Sequence, residues 1–147
     1  MKNLLAASLP LCFAAAALAA PPDFSGSYVL DASSAPAAEG RRRPIAIVNI
    51  EQTAEKVVIT EWYDKQSKFD SFECAVSGPC VYMLRDGRPA GQPGDIALSF
   101  EDGHLVIRSP KNGGNQALRR FALSADKKTL SLKELQAKPS TLVYLRE

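Results

Sequence analysis

The sequence predicts an all-β fold, an antiparallel up-and-down barrel of about eight to ten strands. Three observations carry this. Apolar and polar residues alternate with a period of two in several segments, while helical periodicity is nearly absent after Ala20. Turn residues separate these segments at roughly regular intervals. Successive segments are joined by hairpin-like links. That arrangement favours a ring over a two-sheet sandwich, and a ring leaves no exposed edge.

The chain opens with an export signal. Met1-Lys2-Asn3 supplies a positive start, and residues 4–19 are uncharged and rich in Leu and Ala. Ala17-Leu18-Ala19 places small residues at the two positions that a signal peptidase reads. Residues 1–19 are therefore expected to be a signal peptide cleaved after Ala19, and residues 20–147 a single domain. The apolar stretch is shorter than the roughly 20 residues needed to span a bilayer, and Pro21-Pro22 ends it. Lipid attachment at Cys12 does not fit, because Pro10-Leu11 precede it where small residues are needed. The expected location is periplasmic or secreted, with no membrane span.

The first strand is expected at residues 27–31, followed by 45–50 (IAIVNI) and 57–63 (VVITEWY). Segments 69–76 and 80–85 flank Ser77-Gly78-Pro79. Segments 96–100 and 105–108 flank Asp102-Gly103, a strong hairpin signal. Segments 117–123 and 129–133 flank a polar turn, and 141–145 closes the series. Ile96, Leu98 and Phe100 share one face; Leu105 and Ile107 oppose His104 and Arg108; Leu130 and Leu132 oppose Ser131 and Lys133. One apolar and one wet face is the pattern of an antiparallel sheet folded around a core.

If each strand pairs with the next, the links alternate between two ends. Links 32–43, 64–67, 86–94, 109–115 and 135–140 fall at one end and are mostly long and irregular. Links 51–55, 77–79, 101–103 and 124–128 fall at the other and are tight. Long loops on a rigid scaffold mark a binding mouth. That end is also the more basic of the two, which favours an anionic head group in a ligand.

Composition narrows the function classes. The net charge is +2 before the signal is removed and one unit less without Lys2, so there is no nucleic-acid footprint and no polybasic membrane patch. Removing Cys12 leaves Cys74 and Cys80, which read as one structural disulfide in an oxidising compartment. Two thiols and the single His104 do not make a four-ligand metal site, and no cofactor is expected. His104 follows a hairpin turn on a polar strand face, where solvation rather than general-base catalysis is expected. No catalytic residue can be assigned. Glu61 and Glu73 sit in strands and are expected to face outward, as charged residues usually do. A hydrolase built on an unrecognised carboxylate pair is the third-ranked reading.

Candidate ligand-binding residues are Trp62, Phe72, Arg41 and Arg43. Trp62 and Tyr63 adjoin and must face opposite sides of their strand, so one of the two is expected inside. Phe72, Tyr28 and Phe100 are expected to join it. Arg41-Arg42-Arg43, the one charge run, sits on the longest mouth loop and reads first as a solvated segment. Lys111-Asn112-Gly113-Gly114-Asn115 reads as a turn, because no helix N-terminus follows to make it a phosphate cradle.

Residues 23–34, Asp-Phe-Ser-Gly-Ser-Tyr-Val-Leu-Asp-Ala-Ser-Ser, resemble the opening of small exported bacterial lipocalin-like proteins. Ser124-Ala125-Asp126-Lys127-Lys128-Thr129-Leu130 resembles their late turn and Val143-Tyr144 their final strand. Gly26-Ser27-Tyr28 stands where lipocalins carry Gly-x-Trp, with Tyr in place of Trp, and no middle lipocalin motif is present. The resemblance implies an antiparallel barrel with a possible internal cavity and no assigned reaction. It also implies that Arg146, beside the last strand, packs on the Tyr28 ring at the closed end.

Two functional classes follow. One is a lipocalin-like carrier or sensor for a small apolar or anionic amphipathic ligand. The other is an envelope protein-binding module of the inhibitor or immunity type. A continuous cavity would favour the first, and a filled barrel with exposed aromatic loops the second. The signal peptide makes a direct prediction: N-terminal sequencing of the exported protein should read Ala-Pro-Pro-Asp. Retention of Met1 in the exported fraction would contradict it.

Overall fold

The structure is a computed structural model that describes residues 20–35, 44–92, 94–109, 116–135 and 139–147. The expected signal peptide, Arg41, Arg43 and the Lys111 to Asn115 turn lie outside those residues. The elements are β1 (Gly26–Leu30), a 3-10 turn (Ala32–Ser34), β2 (Ile47–Gln52), β3 (Lys56–Trp62), β4 (Lys68–Ala75) and β5 (Pro79–Met83). They continue with β6 (Pro89–Ala90), β7 (Ile96–Glu101), β8 (His104–Ser109), β9 (Gln116–Leu123), β10 (Thr129–Glu134) and β11 (Ser140–Arg146). Each expected strand is present, with limits within two residues of those read from the alternation.

All pairings are antiparallel, and the sheet closes into a ten-strand barrel. The ring runs β1-β2-β3-β4-β5-β7-β8-β9-β10-β11 and returns to β1. Closure rests on Tyr28↔Arg146, Val29↔Leu145 and Leu30↔Tyr144. Opposite it, β5 divides one edge between two partners. Pro79 and Cys80 pair with β7, and Tyr82 and Met83 pair with β6. The short β6 was not expected: two residues including a proline carry no alternation to read. It turns the supposed loop at 86–94 into a hairpin lying on β5.

Every strand of the ring sends side chains to one core. Val48, Ile50, Val57, Ile59, Leu98, Leu105, Ile107, Leu130 and Leu132 are buried there with the rings of Phe24, Tyr28, Phe121 and Tyr144. Phe100 packs against this cluster, with its ring 6.2 Å from that of Phe24. Cys74 and Cys80 are bonded across the β4–β5 hairpin and face the same interior.

The links separate as expected. The tight turns lie at the end that carries Phe24 and the C-terminus, and the longer links lie at the other. The first long link is partly fixed structure. Asp31 caps the 3-10 turn by accepting from the Ser33 N–H, and the Val143 N–H donates to Ser34 Oγ at 2.9 Å.

At the closed end, the Arg146 guanidinium lies 5.8 Å from the centre of the Tyr28 ring. Arg146 also donates to the carbonyls of Ser25 and Lys127. Tyr28 is fully buried, and its hydroxyl donates to the Phe24 carbonyl at 2.8 Å. Gly26 permits this close approach: a Cβ there would stand 3.0 Å from Arg146 Nε and 3.1 Å from the Tyr28 ring. Tyr28→Ala should lower stability by about 3–5 kcal/mol, as for other large buried rings. Tyr28→Phe should lose only about 1 kcal/mol with the hydroxyl's hydrogen bond. Arg146→Ala, at an exposed position, should cost about 0.5–1 kcal/mol. Urea unfolding of the three variants checks this order.

Candidate functional site

The alternation that buries the core also carries charge inward. On β3, Val57 and Ile59 point inside, and Glu61 follows in the same phase, fully buried. The expectation that Glu61 faces water is corrected by this phase, because a strand in a closed barrel has only two faces. Glu73 does face outward, where it pairs with Lys56 at 3.3 Å. On β4, Asp70 shares the inner face with Phe72 and Cys74 and is 5% exposed. On β5, Tyr82 follows Cys80 inward. On β9 and β10, Arg119 and Glu134 fall in phase with Phe121 and Leu132 and stand opposite each other, the Glu134 side chain still 43% exposed.

These groups gather in the half of the barrel nearest the long links. Arg119 Nη1 donates to Glu61 Oε1, and Nη2 stands 3.6 Å from Glu134. The same guanidinium lies 5.5 Å from the centre of the Phe72 ring. The Tyr82 hydroxyl donates to Asp70 Oδ2, and the Tyr82 and Phe72 rings are 5.1 Å apart. The Tyr144 hydroxyl donates to the Ile45 carbonyl at 3.2 Å. Glu61 Oε2 is buried with no hydrogen-bond partner among the described residues.

The ladder breaks register beside this group on both sides. One break lies between Thr60 and Trp62 where β3 meets β4, flanking Glu61 and Asp70. The other lies between Ile107 and Arg108 where β8 meets β9, next to Arg119. A bulge re-aims side chains locally, and bulges gather beside functional positions.

Burial pushes the Glu61 carboxyl above its ordinary value; the nearby charges of Asp70 and Glu134 add to this, and Arg119 opposes it. Burial is also the first cause raising the Tyr82 and Tyr144 hydroxyls. The Asp70 hydrogen bond adds at Tyr82, and the Glu61 charge adds at Tyr144. The outer face offers a contrast. Arg108 binds Glu101 through Nε at 2.7 Å and through Nη2, and Ser99 Oγ donates to the same carboxylate at 2.6 Å. Held first by Arg108, Glu101 is pulled down to about 2.

Two clefts lie beside β5. The larger, about 400 Å³, is lined by Phe69, Asp70, Leu84, Arg85 and Asp86. The smaller, about 260 Å³, is bounded by Cys80, Tyr82, Ala90 and Ile96 among others. Asp70 thus faces one cleft and Tyr82 the other, and their hydrogen bond stands between the two. The arrangement suits recognition by hydrogen bonding. Glycoside hydrolysis requires two carboxyl groups flanking one substrate bond, but Glu61 is enclosed and Asp70 is engaged by Tyr82.

Of the residues expected to bind ligand, Phe72 lies inside, against Tyr82 and Arg119. Trp62 stands opposite Ile47 on the outer face, alternate to Glu61, and does not line the interior. Tyr63 packs at a tilt against Phe69, 4.8 Å between ring centres, in the link that follows β3. Arg41 and Arg43 fall outside the described residues. His104 lies on the outer face beside its turn, its Nδ1 2.9 Å from the Asp102 carbonyl. Glu61, Asp70, Tyr82, Arg119 and Glu134 were not singled out as a group from sequence. Their signal was strand phase: each falls in step with a core residue two positions away. No protein-family model matches this chain, and no curated protein sequence matches it. Among the described residues no helix is long and apolar enough to cross a membrane.

The buried pair makes a two-part prediction. Arg119→Met should lower stability by about 3–5 kcal/mol, because it leaves the Glu61 carboxylate without its cation. Glu61→Gln added to Arg119→Met should recover most of that loss. Because the folded Glu61 carboxyl holds its proton more tightly than the unfolded one, its contribution to stability is present below pH 4.5 and lost as pH rises through the raised value. Glu61→Gln should therefore gain on wild type as pH rises above 4.5. Glu101 has the opposite sign. Its contribution is present above pH 4.5 and lost as pH falls toward 2, so Glu101→Gln should flatten the acid side of the profile. Urea unfolding across this pH range measures all three effects.

Proposed function

We propose that this chain is an exported, non-catalytic, lipocalin-like binding protein that holds a small amphipathic ligand at the open end of its barrel. The observation that carries the reading is the Asp70–Tyr82 hydrogen bond, set between two clefts whose walls include Phe69, Leu84 and Ile96. Such a site combines apolar walls with a few fixed polar groups, which is what small-molecule recognition requires. The closed half of the barrel is filled by rings and aliphatic chains, so the ligand sits near the rim rather than in a deep central cavity. The signal-like N-terminus, the Cys74–Cys80 bond and the opening at residues 23–34 support periplasmic or secreted placement and the lipocalin-like assignment.

The filled closed half also favours a second reading, an envelope protein-binding module that uses the long links as its interface. The two separate on a neutral probe. N-phenyl-1-naphthylamine should bind wild-type protein saturably at one site, with a rise in fluorescence. Ala90→Trp, which places an indole in the smaller cleft, should weaken that binding about tenfold or more while the fold is retained by circular dichroism. Absence of saturable binding to wild type would remove the small-ligand reading and leave the protein interface.

A further inference from the structure

The register around the smaller cleft shows how the barrel wall is built there. On one edge of β5, Tyr82 faces Ala90 and Met83 faces Pro89. Further down the same edge, Cys80 faces Ile96 and Pro79 faces Ala97. A continuous ladder would hold one residue between Ala90 and Ile96, opposite Val81. The chain has five there, residues 91–95. β6 and β7 are therefore one strand of the ring, interrupted by four extra residues. We propose that this interruption is a lateral port, by which the ligand of the binding reading above reaches the inner face of the barrel from the side.

The interruption keeps the phase of the strand, because four is an even number. Ala90 stays in step with Tyr82, and Ile96 with Cys80, all four on the inner face. The same four residues border the cleft of about 260 Å³. The cleft is thus a notch in the wall that gives on to inner-phase side chains, not a groove on the outer surface. Behind it the Tyr82 ring packs on Phe72, 5.1 Å between centres. This inner border is apolar apart from the Tyr82 hydroxyl, so it suits the apolar part of an amphipathic ligand.

The extra residues are folded on themselves. The Gln92 N–H donates to Asp95 Oδ2 at 2.8 Å, and the Asp95 N–H donates to the Gln92 carbonyl at 3.0 Å. Gly91 and Gly94 take φ of +77° and +88°, the left-handed region that glycine enters without strain. An ordinary bulge adds one residue and serves to twist a strand. Four residues tied into a turn hold the two parts of a strand apart. Val81 faces the gap and is 42% exposed, with no cross-strand partner on that edge among the described residues.

Deletion of residues 91–94 tests the port. Asp95 would then fall opposite Val81, pointing outward, and Ala90 and Ile96 would keep their partners, so the ladder would run unbroken across the notch. The deletion variant is expected to unfold at no lower urea concentration than wild type, because a surface excursion costs little to remove. It should bind N-phenyl-1-naphthylamine at least about tenfold more weakly. Ala90→Cys reads the port without a ligand: iodoacetamide should label the new thiol at least about tenfold faster in the full-length chain than in the deletion variant. Undiminished probe binding, or equal labelling, in the folded deletion variant overturns the port and leaves the binding reading standing. If wild type does not bind the probe, the binding reading fails and the labelling rates alone decide whether the wall is open. Should the deletion variant not fold, labelling of Ala90→Cys more than about tenfold slower than that of Val81→Cys in the full-length chain overturns the port.

Discussion

Closure of the sheet through β1 and β11 is the constraint on which the rest of this structure depends. Three residue pairs join the first strand to the last, and with them the ring has no open edge. Closure also gives every strand the same inside. A side chain on the inner phase has nowhere to go except a shared space of fixed width. At the closed end that space is taken up by Phe24 and Tyr28 with the aliphatic residues around them. Arg146 covers the end, against the ring of Tyr28. The seam opposite the closure is thinner. There β5 gives two residues to β7 and two to β6, and both clefts lie along this part of the barrel.

The same closure makes the interior charges expensive. Taking Glu61 and Arg119 out of water carries a desolvation penalty that their mutual attraction only partly offsets. A hydrophobic pair of similar volume would serve stability at least as well. The outer pair of Glu101 and Arg108 illustrates the difference. It sits in high dielectric with Ser99 as a further donor, and its effect is to hold a carboxylate ionised rather than to force a charge into the core. The interior pair lies beside both register breaks of the ladder.

The fold was legible to a large extent. The ten long strands follow from alternation and turn residues, because in a half-buried strand the burial pattern is written directly into the sequence. The division into long and short links follows from antiparallel succession alone. The pairing of Cys74 with Cys80 follows from their place on either side of a hairpin. By contrast, β6 was invisible, because two residues have no period. The direction of Glu61 was read as outward, and the alternation did not correct it. Val58 and Trp62 are as apolar as Val57 and Ile59, so the two phases of β3 look alike until the strand is placed beside β2.

What the sequence determined by itself is therefore local: where the chain extends, where it turns, and which residues alternate with which. These properties depend on neighbours in the chain, and neighbours in the chain are what a sequence displays. The tertiary structure decided which phase of each strand is inside, and hence that Glu61, Asp70, Tyr82, Arg119 and Glu134 share one space. That grouping joins residues up to 73 positions apart, from Glu61 to Glu134. It exists only because the sheet closes, and closure is a property of the whole ring that no single strand carries.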